Sequence, residues 1–247
     1  TLEVPIIKDK SSFMIAGRRS YADIFLPLAP DETIQNSKLF FYDLNLKANY
    51  ELSDKDRLYV SGYFGRDVLG LSELFGINWG NATATLRWNH LVNEKMFVNT
   101  SLVYSDFNYG VDINFADNAS FGLDQSINDI YIKSDWTNFI NQKSELNFGG
   151  QVIYHRFNPG LFAPNNEESA LIFTEIQIEK RKALESGWYI DHEYKHSTRL
   201  NFRYGLRLST FSNIGGSEYT YTKDPDTNEP ISALTTRDSF GSSEIYN

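Results

Sequence analysis

The sequence predicts an all-β chain, the wall of an antiparallel transmembrane β-barrel with about nine meandering strands. Three observations lead there. Apolar and polar residues alternate with period two over most of the 247 residues, and helical periodicity is hard to find. The alternating runs are long: 38–52, 79–91, 96–109, 126–138, 144–157 and 199–211 all suit a tilted membrane strand of about 9–11 residues better than a soluble strand of about 5–6. The links are sorted by kind. "SDKD" at 53–56, "VNEK" at 92–95, "INQKS" at 140–144 and "KHST" at 195–198 are short and polar. Between them lie longer links at 21–37, 68–78, 110–125, 158–169 and from 212 onward, rich in Gly, Pro, Asn and Asp. Short turns at one end and long loops at the other are the habit of outer-membrane barrels.

The strands follow in order. Residues 13–26 form the first. In 38–52, Phe40, Tyr42, Leu44, Leu46, Ala48, Tyr50 and Leu52 take one face, and Asp43, Asn45, Lys47, Asn49 and Glu51 the other. Leu58, Val60, Gly62 and Phe64 continue the pattern, then Gly80 to Trp88, and Val98 to Tyr104. Ile130, Ile132 and Trp136 oppose Asp129, Lys133 and Asp135; Leu146, Phe148, Val152 and Tyr154 oppose Glu145, Asn147, Gln151 and His155. Trp188, Ile190 and Tyr194 oppose Asp191 and Glu193, and Leu200 to Leu208 oppose Arg199, Asn201, Arg203 and Arg207. Residues 170–182 read either as an extension of the next strand above the membrane or as a separate piece of surface loop.

Composition narrows the function. The net charge is -9 and no basic run stands out, which argues against nucleic acid as a partner. No cysteine is present, so disulfides and thiolate metal sites are excluded. Mean hydropathy is -0.41 although 15% of residues are aromatic, as expected when apolar side chains are spread thinly over a long surface. No window approaches the ~18 apolar residues of a membrane helix, and the first residues lack the order of a secretory signal.

The apolar, mostly even-numbered face is expected to meet outer-membrane lipid, and the odd face an enclosed, wet or plugged lumen. Lipid offers the backbone no hydrogen bonds, so such a sheet has to close. Tyr50, Trp88, Trp136 and Tyr194 near the short turns, and Tyr104 and Tyr154 near the long loops, read as two interfacial girdles. On the odd face Asp43, Lys47, Arg57, Arg87, Asp129, Lys133, Arg203 and Arg207 either hold a plug or solvate a water-filled lumen. By parity Arg19 is assigned inward and Arg18 outward. Phe75, Trp79, Phe115, Phe121 and Phe162 lie in the long links with Asp112, Asp117, Asp124, Asp224 and Asp226. They are candidates for gripping cargo, or for anchoring the loops to one another. None of His90, His155, His192 and His196 stands at a metal-binding spacing, and no catalytic set, metal or cofactor is expected. Ser186 and His192 share the outward face but sit too far apart for a nucleophile and base.

"SSFMIAGRRSYADIF" at 11–25 resembles the first barrel strand after the plug of TonB-dependent outer-membrane transporters, in a branch that often carries an N-terminal carboxypeptidase-regulatory-like domain. Residues 56–68, 78–109, 146–160 and 199–211 resemble successive barrel strands of the same group, and the likeness covers most of 11–211. The resemblance implies a Gram-negative outer membrane, a barrel of about 22 strands filled by its own plug, and non-enzymatic uptake of a large nutrient: a siderophore, cobalamin, a glycan or a peptide. The implied partners are the plug, TonB and outer-membrane lipid, with a surface lipoprotein left open. The chain carries neither plug nor TonB box and stops at "SSEIYN", so residues 1–247 are expected to be the N-terminal portion of the barrel. The alternatives are a complete small barrel of about 8–10 strands acting as porin or adhesin, and a soluble β-sandwich binding module.

Overall fold

The structure is a computed structural model that describes residues 1–72, 74–115, 119–220, 222–225, 227–228 and 236–246, with backbone alone at 218–220, 236–238, 240, 242–243 and 246. Its strands are β1 (Leu2–Ile7), β2 (Ser11–Arg19), β3 (Lys38–Ser53), β4 (Asp56–Leu71), β5 (Phe75–Asn93), β6 (Met96–Asn114), β7 (Ser120–Asn141), β8 (Ser144–Pro164), β9 (Ile176–Gln177), β10 (Arg181–Ser197), β11 (Leu200–Thr220) and β12 (Thr236–Tyr246). They form one sheet in the order β1 to β8, then β10, β11 and β12, with β9 pairing β8 off that path. Every pairing is antiparallel. Among the described residues β1 and β12 do not pair, so the sheet is an open arc.

The nine expected strands are present as β2–β8, β10 and β11, and three more join them. β1 and β12 lie beyond the stretches where alternation is clean, and β9 has only two residues. The first strand is Ser11–Arg19 rather than 13–26, because 3-10 turns at Ala22–Ile24 and Leu26–Leu28 take the chain off the sheet. In the same loop Asp31 caps the short helix α1 (Glu32–Gln35), accepting from Thr33 N (2.8 Å) and Ile34 N (3.3 Å). The Thr33 backbone bond leads in holding its carboxyl below the usual range.

The expected long links at 68–78 and 110–125 are mostly strand. β4 and β5 are separated by residues 72–74, and β6 and β7 by 115–119. β7 has 22 residues, about 75 Å at ~3.4 Å each. That far exceeds a ~25 Å apolar band even when tilted, so the ladders project past it as a tall rim. Most of 170–182 is a separate piece, helix α2 (Glu167–Ile172) and then β9 laid on Leu161 and Phe162, while Arg181 and Lys182 open β10.

Packing follows the faces. Only Val98, Val103 and Ala183 are buried apolar residues among those described. Leu206 is 79% and Leu208 64% exposed, and Leu46, Val60, Leu86, Leu102, Ile132 and Ile190 are exposed too. Among the described residues no second layer covers the even face, so the soluble sandwich is set aside. From the row Tyr104–Ile130–Tyr154 down to the short turns, β3–β11 place no Asp, Glu, Lys or Arg on that face except Asp56 at the start of β4. An apolar area this large, free of charge and uncovered, is unsuited to water.

Register corrects one parity assignment. Arg18 opposes Asp43 and forms an ion pair with it on the polar face, whereas Arg19 opposes Tyr42 on the apolar face. Arg19 is bound to Asp23 and lies over the Tyr21 and Phe40 rings, at 5.3 Å each. The loop at 20–37 has no reason to conserve parity, so the frame of β3 does not carry back into β2.

Candidate functional site

The aromatics expected to form girdles fall at two levels of the sheet. Tyr50, Leu58 and Trp88 form one cross-strand row, and Val98, Trp136, Phe148 and Ile190 the next. Trp136 stacks on Phe148 at 5.9 Å and 11°. Each indole N–H finds an acceptor: Trp88 Nε1 donates to Asp56 Oδ1 (3.0 Å) and Trp136 Nε1 to Ser134 Oγ (3.0 Å). Tyr194 lies near the β10–β11 turn, and Tyr104 and Tyr154 share the upper row across Ile130. On β3, positions 42 to 50 span about 27 Å along the strand, or about 21 Å at a tilt near 40°. That is close to a bilayer's apolar band.

The polar face is a lattice of pairs within and between strands. Asp43 accepts from Arg18 and from Asn45 Nδ2 (3.2 Å), and Arg57 pairs with Glu51. Lys133 Nζ lies 2.9 Å from Asp135 Oδ2, and Arg203 Nε 3.0 Å from Asp191. Asp129 faces His155 Nδ1 at 2.8 Å, and Glu185 lies 3.6 Å from Nε2 of the same ring. Tyr189 donates to Asp135 (2.8 Å). Lys47, Arg87 and Arg207 make no ion pair among the described residues; Arg207 Nε donates to Ser209 Oγ (3.2 Å). Arg199 likewise makes none, so four cations of this wall stand outside its ion pairs among the described residues, as do Asp67 and Glu145.

Of the loop aromatics, three come together. Phe121 stacks on Phe162 (5.5 Å, 8°), and Phe115 meets its edge (6.1 Å). A fourth ring, Phe173, is edge-on to both Phe121 (5.6 Å) and Phe162 (5.0 Å). Sequence parity puts Phe121 and Phe162 on opposite faces. The structure reverses this with a bulge: between the pairs Ser126–Asn158 and Asp124–Leu161, β8 uses one more residue than β7. Gly160 sits there at φ 145°, a backbone that L side chains rarely adopt. Beyond it Phe162 falls opposite Leu123, on the face of Phe121.

The loop is tied down by polar contacts as well. Asn166 caps α2 by accepting from Ser169 N (2.8 Å), and the fully buried Ser169 Oγ accepts from Ser120 N (2.6 Å). Asn165 Nδ2 donates to Asp112 (3.1 Å). Phe75 opposes Ile113, itself opposite Phe121, whereas Trp79 stands apart between Asp67 and Tyr109. Asp124 is exposed, and Asp224 accepts from Thr227 N (3.1 Å); Asp117 and Asp226 lie outside the described residues. Phe121→Ala removes the ring shared by the other three. Limited proteolysis should then cut within 165–180 at least several-fold faster, since the segment loses its ring packing on the rim and keeps only its polar ties and the short β9 pairing.

Two features escape the sequence reading. A hollow of about 810 Å³ is lined by Phe107, Tyr109, Gln125, Ile127, Phe157 and Arg181. Phe107, Ile127, Phe157 and Arg181 form a single cross-strand row on the odd face. With Val103, Tyr131 and Ile153 in the neighbouring row, these rings make an apolar zone on a face that is mostly polar elsewhere. The second is at His192, whose Nε2 contacts Ser144 Oγ (2.7 Å) and Nδ1 Tyr204 OH (2.7 Å); Ser186 instead bonds Thr210. Ser144 is 8% exposed, so its hydroxyl serves as a buried hydrogen-bond partner rather than an open nucleophile.

Known structures resemble this arc. It matches the copper transporter OprC over 93% of its own length (TM-score 0.63, 11% identity). The fold is that of part of an outer-membrane β-barrel wall. The arc also matches the ferric-catecholate import receptor Fiu from E. coli K12 in its open form over 96% (TM-score 0.60, 11%). A third match is a double mutant of the Serratia marcescens hemophore receptor HasR in complex with its hemophore HasA and heme, over 94% (TM-score 0.58, 13%). The chain spans 38%, 47% and 36% of those chains respectively. No protein-family profile and no curated protein sequence matches it. At such identities the likeness carries the fold.

Proposed function

We propose that residues 1–247 are the N-terminal portion of the barrel of a TonB-dependent outer-membrane receptor, taking up a nutrient too large for a porin. The observation that carries this is the pairing of opposite faces in one uninterrupted meander: an even face with an uncovered apolar band and two aromatic levels, and an odd face rich in charged and polar side chains. The match of nearly the whole chain to receptor barrels supports it. The even face meets outer-membrane lipid. The odd face surrounds the protein's own plug, and Lys47, Arg87 and Arg207 are among the cations that bind it. The Phe107–Phe157 hollow, with Trp79 nearby, forms part of the cargo wall; Phe115, Phe121 and Phe162 hold the rim in shape. TonB supplies the pull that moves the plug, and the wall itself performs no chemistry.

The test uses the full-length protein. In planar bilayers it should show no steady conductance, because a plugged lumen blocks ions. Cells expressing it should accumulate one member of a panel of copper, heme, ferric catecholates, cobalamin, glycans and peptides, and only when TonB is present. A steady open-channel conductance, or uptake unchanged by loss of TonB, would overturn the reading in favour of a porin.

A further inference from the structure

The upper border of the apolar band is not evenly charged. The row immediately above Tyr104–Ile130–Tyr154–Leu184 runs Asp106–Asn128–Arg156–Lys182 across β6, β7, β8 and β10. Asp106 is satisfied by amides: Asn128 Nδ2 (2.7 Å) and Asn108 Nδ2 (3.1 Å) donate to it. It stands two strands from Arg156, about 10 Å away at the usual strand spacing. Arg156 and Lys182 are direct cross-strand neighbours, both exposed, and neither has an acidic partner among the described residues. Arg156 lies over the ring of Tyr154 in the girdle below, 5.7 Å from its centroid. Like charges directly opposite each other destabilise a sheet. Here they also stand where long cationic side chains reach up from hydrocarbon into the headgroup layer.

We propose that Arg156 and Lys182 form a binding site for a phosphate group of an anionic outer-leaflet glycolipid, seated against the outer wall with its acyl chains over Tyr154 and Leu184. The site lies at the long-loop end, which outer-membrane barrels turn outward. The even-face positions at the short-turn border carry Asp56, His90 and His192 and no lysine or arginine. The asymmetry suits one anionic leaflet rather than two. Membrane lipid is the source we commit to, because the pair is one pleat above an uncharged face, and a phosphate there is delivered with its own apolar anchor. The inference rests on the even face meeting lipid.

The experiment extracts full-length protein from outer membranes in mild detergent and counts retained lipid by native mass spectrometry. Wild type should keep a bis-phosphorylated glycolipid. R156Q/K182Q should keep about tenfold less or lower still, the scale expected when two charge-assisted phosphate contacts are lost. The charge-preserving R156K/K182R should restore retention, and wild type should take up the dephosphorylated glycolipid no better than R156Q/K182Q does. A heat-shifted gel mobility in both variants verifies that the barrel has folded. Equal retention by wild type and R156Q/K182Q overturns the proposal, as does displacement by inorganic phosphate at concentrations equal to the lipid's. Protein that stays soluble and monodisperse without detergent would instead overturn the membrane reading beneath it.

Discussion

Leu46→Arg is expected to destabilise the full-length protein in a bilayer by about 2–4 kcal/mol, the cost of a cation at the midplane of a barrel's lipid face. Leu46 is midway along β3, opposite Ile15 and Gly62, and is exposed on a face where no other side chain covers it. On this strand Tyr42 and Tyr50 lie four residues to either side, about 14 Å away, and strand tilt carries the row that Leu46 shares with Tyr104 to a different depth several strands on. Lys47→Ala, one residue on, should change stability by much less. Lys47 opposes Met14 and Ser61 on the polar face, is exposed, and has no ion-pair partner among the described residues. Denaturant unfolding in lipid vesicles measures both. The contrast matters more than either value: equal effects would mean that the two faces had been exchanged, and the lipid and plug assignments would fail together.

That face assignment was legible because period two is a local property. Each strand from β3 to β8 writes its own alternation, and pairing two such strands in register forces like faces together. What was not legible depended on events between strands. The frame of β2 was read from β3, yet the intervening turns at 22–28 reset it, and Arg18 rather than Arg19 met Asp43. One extra residue at Gly160 moved Phe162 to the face of Phe121, joining rings that parity separates. Gly, Asp and Asn were read as loop formers at 68–78 and 110–125, although ladder hydrogen bonds carry those residues as strand. Propensity is weak against pairing with a neighbour already in place. The candidate site fared likewise. The rim aromatics were chosen by residue type, and the structure sorts them by contact into a packed cluster of Phe115, Phe121, Phe162 and Phe173, with Trp79 apart. Phe107, Tyr109 and Phe157 were passed over because they sit inside strands rather than in links.

Gly149→Val should cost about 1–3 kcal/mol through overpacking, and it tests the sheet rather than the membrane. Gly149 lies between Asp135 on β7 and Tyr189 on β10, on the polar face. A Cβ built there clashes with the backbone carbonyl of Ser134 and comes within 3.1 Å of Asp135 Cα. Neither is the free end of a flexible side chain, so the ladder itself has to move. The ring of Tyr189 is also close, at 3.1 Å, and its hydroxyl is committed to Asp135. A valine therefore strains the β7–β8 pairing and the Tyr189–Asp135 bond at once. At Gly150 the nearest atoms belong to the Trp188 ring, which rests over the glycine on the apolar face and can swing into lipid. Gly150→Ala should thus be the milder change. Amide hydrogen exchange along 130–137 and 147–152, compared between the two variants in vesicles, reads the difference directly: protection lost in Gly149→Val and kept in Gly150→Ala. Protection unchanged in Gly149→Val would mean that β7 and β8 do not approach at this register, and the row that places Lys133, Asp135 and Tyr189 on one wall would have to be redrawn.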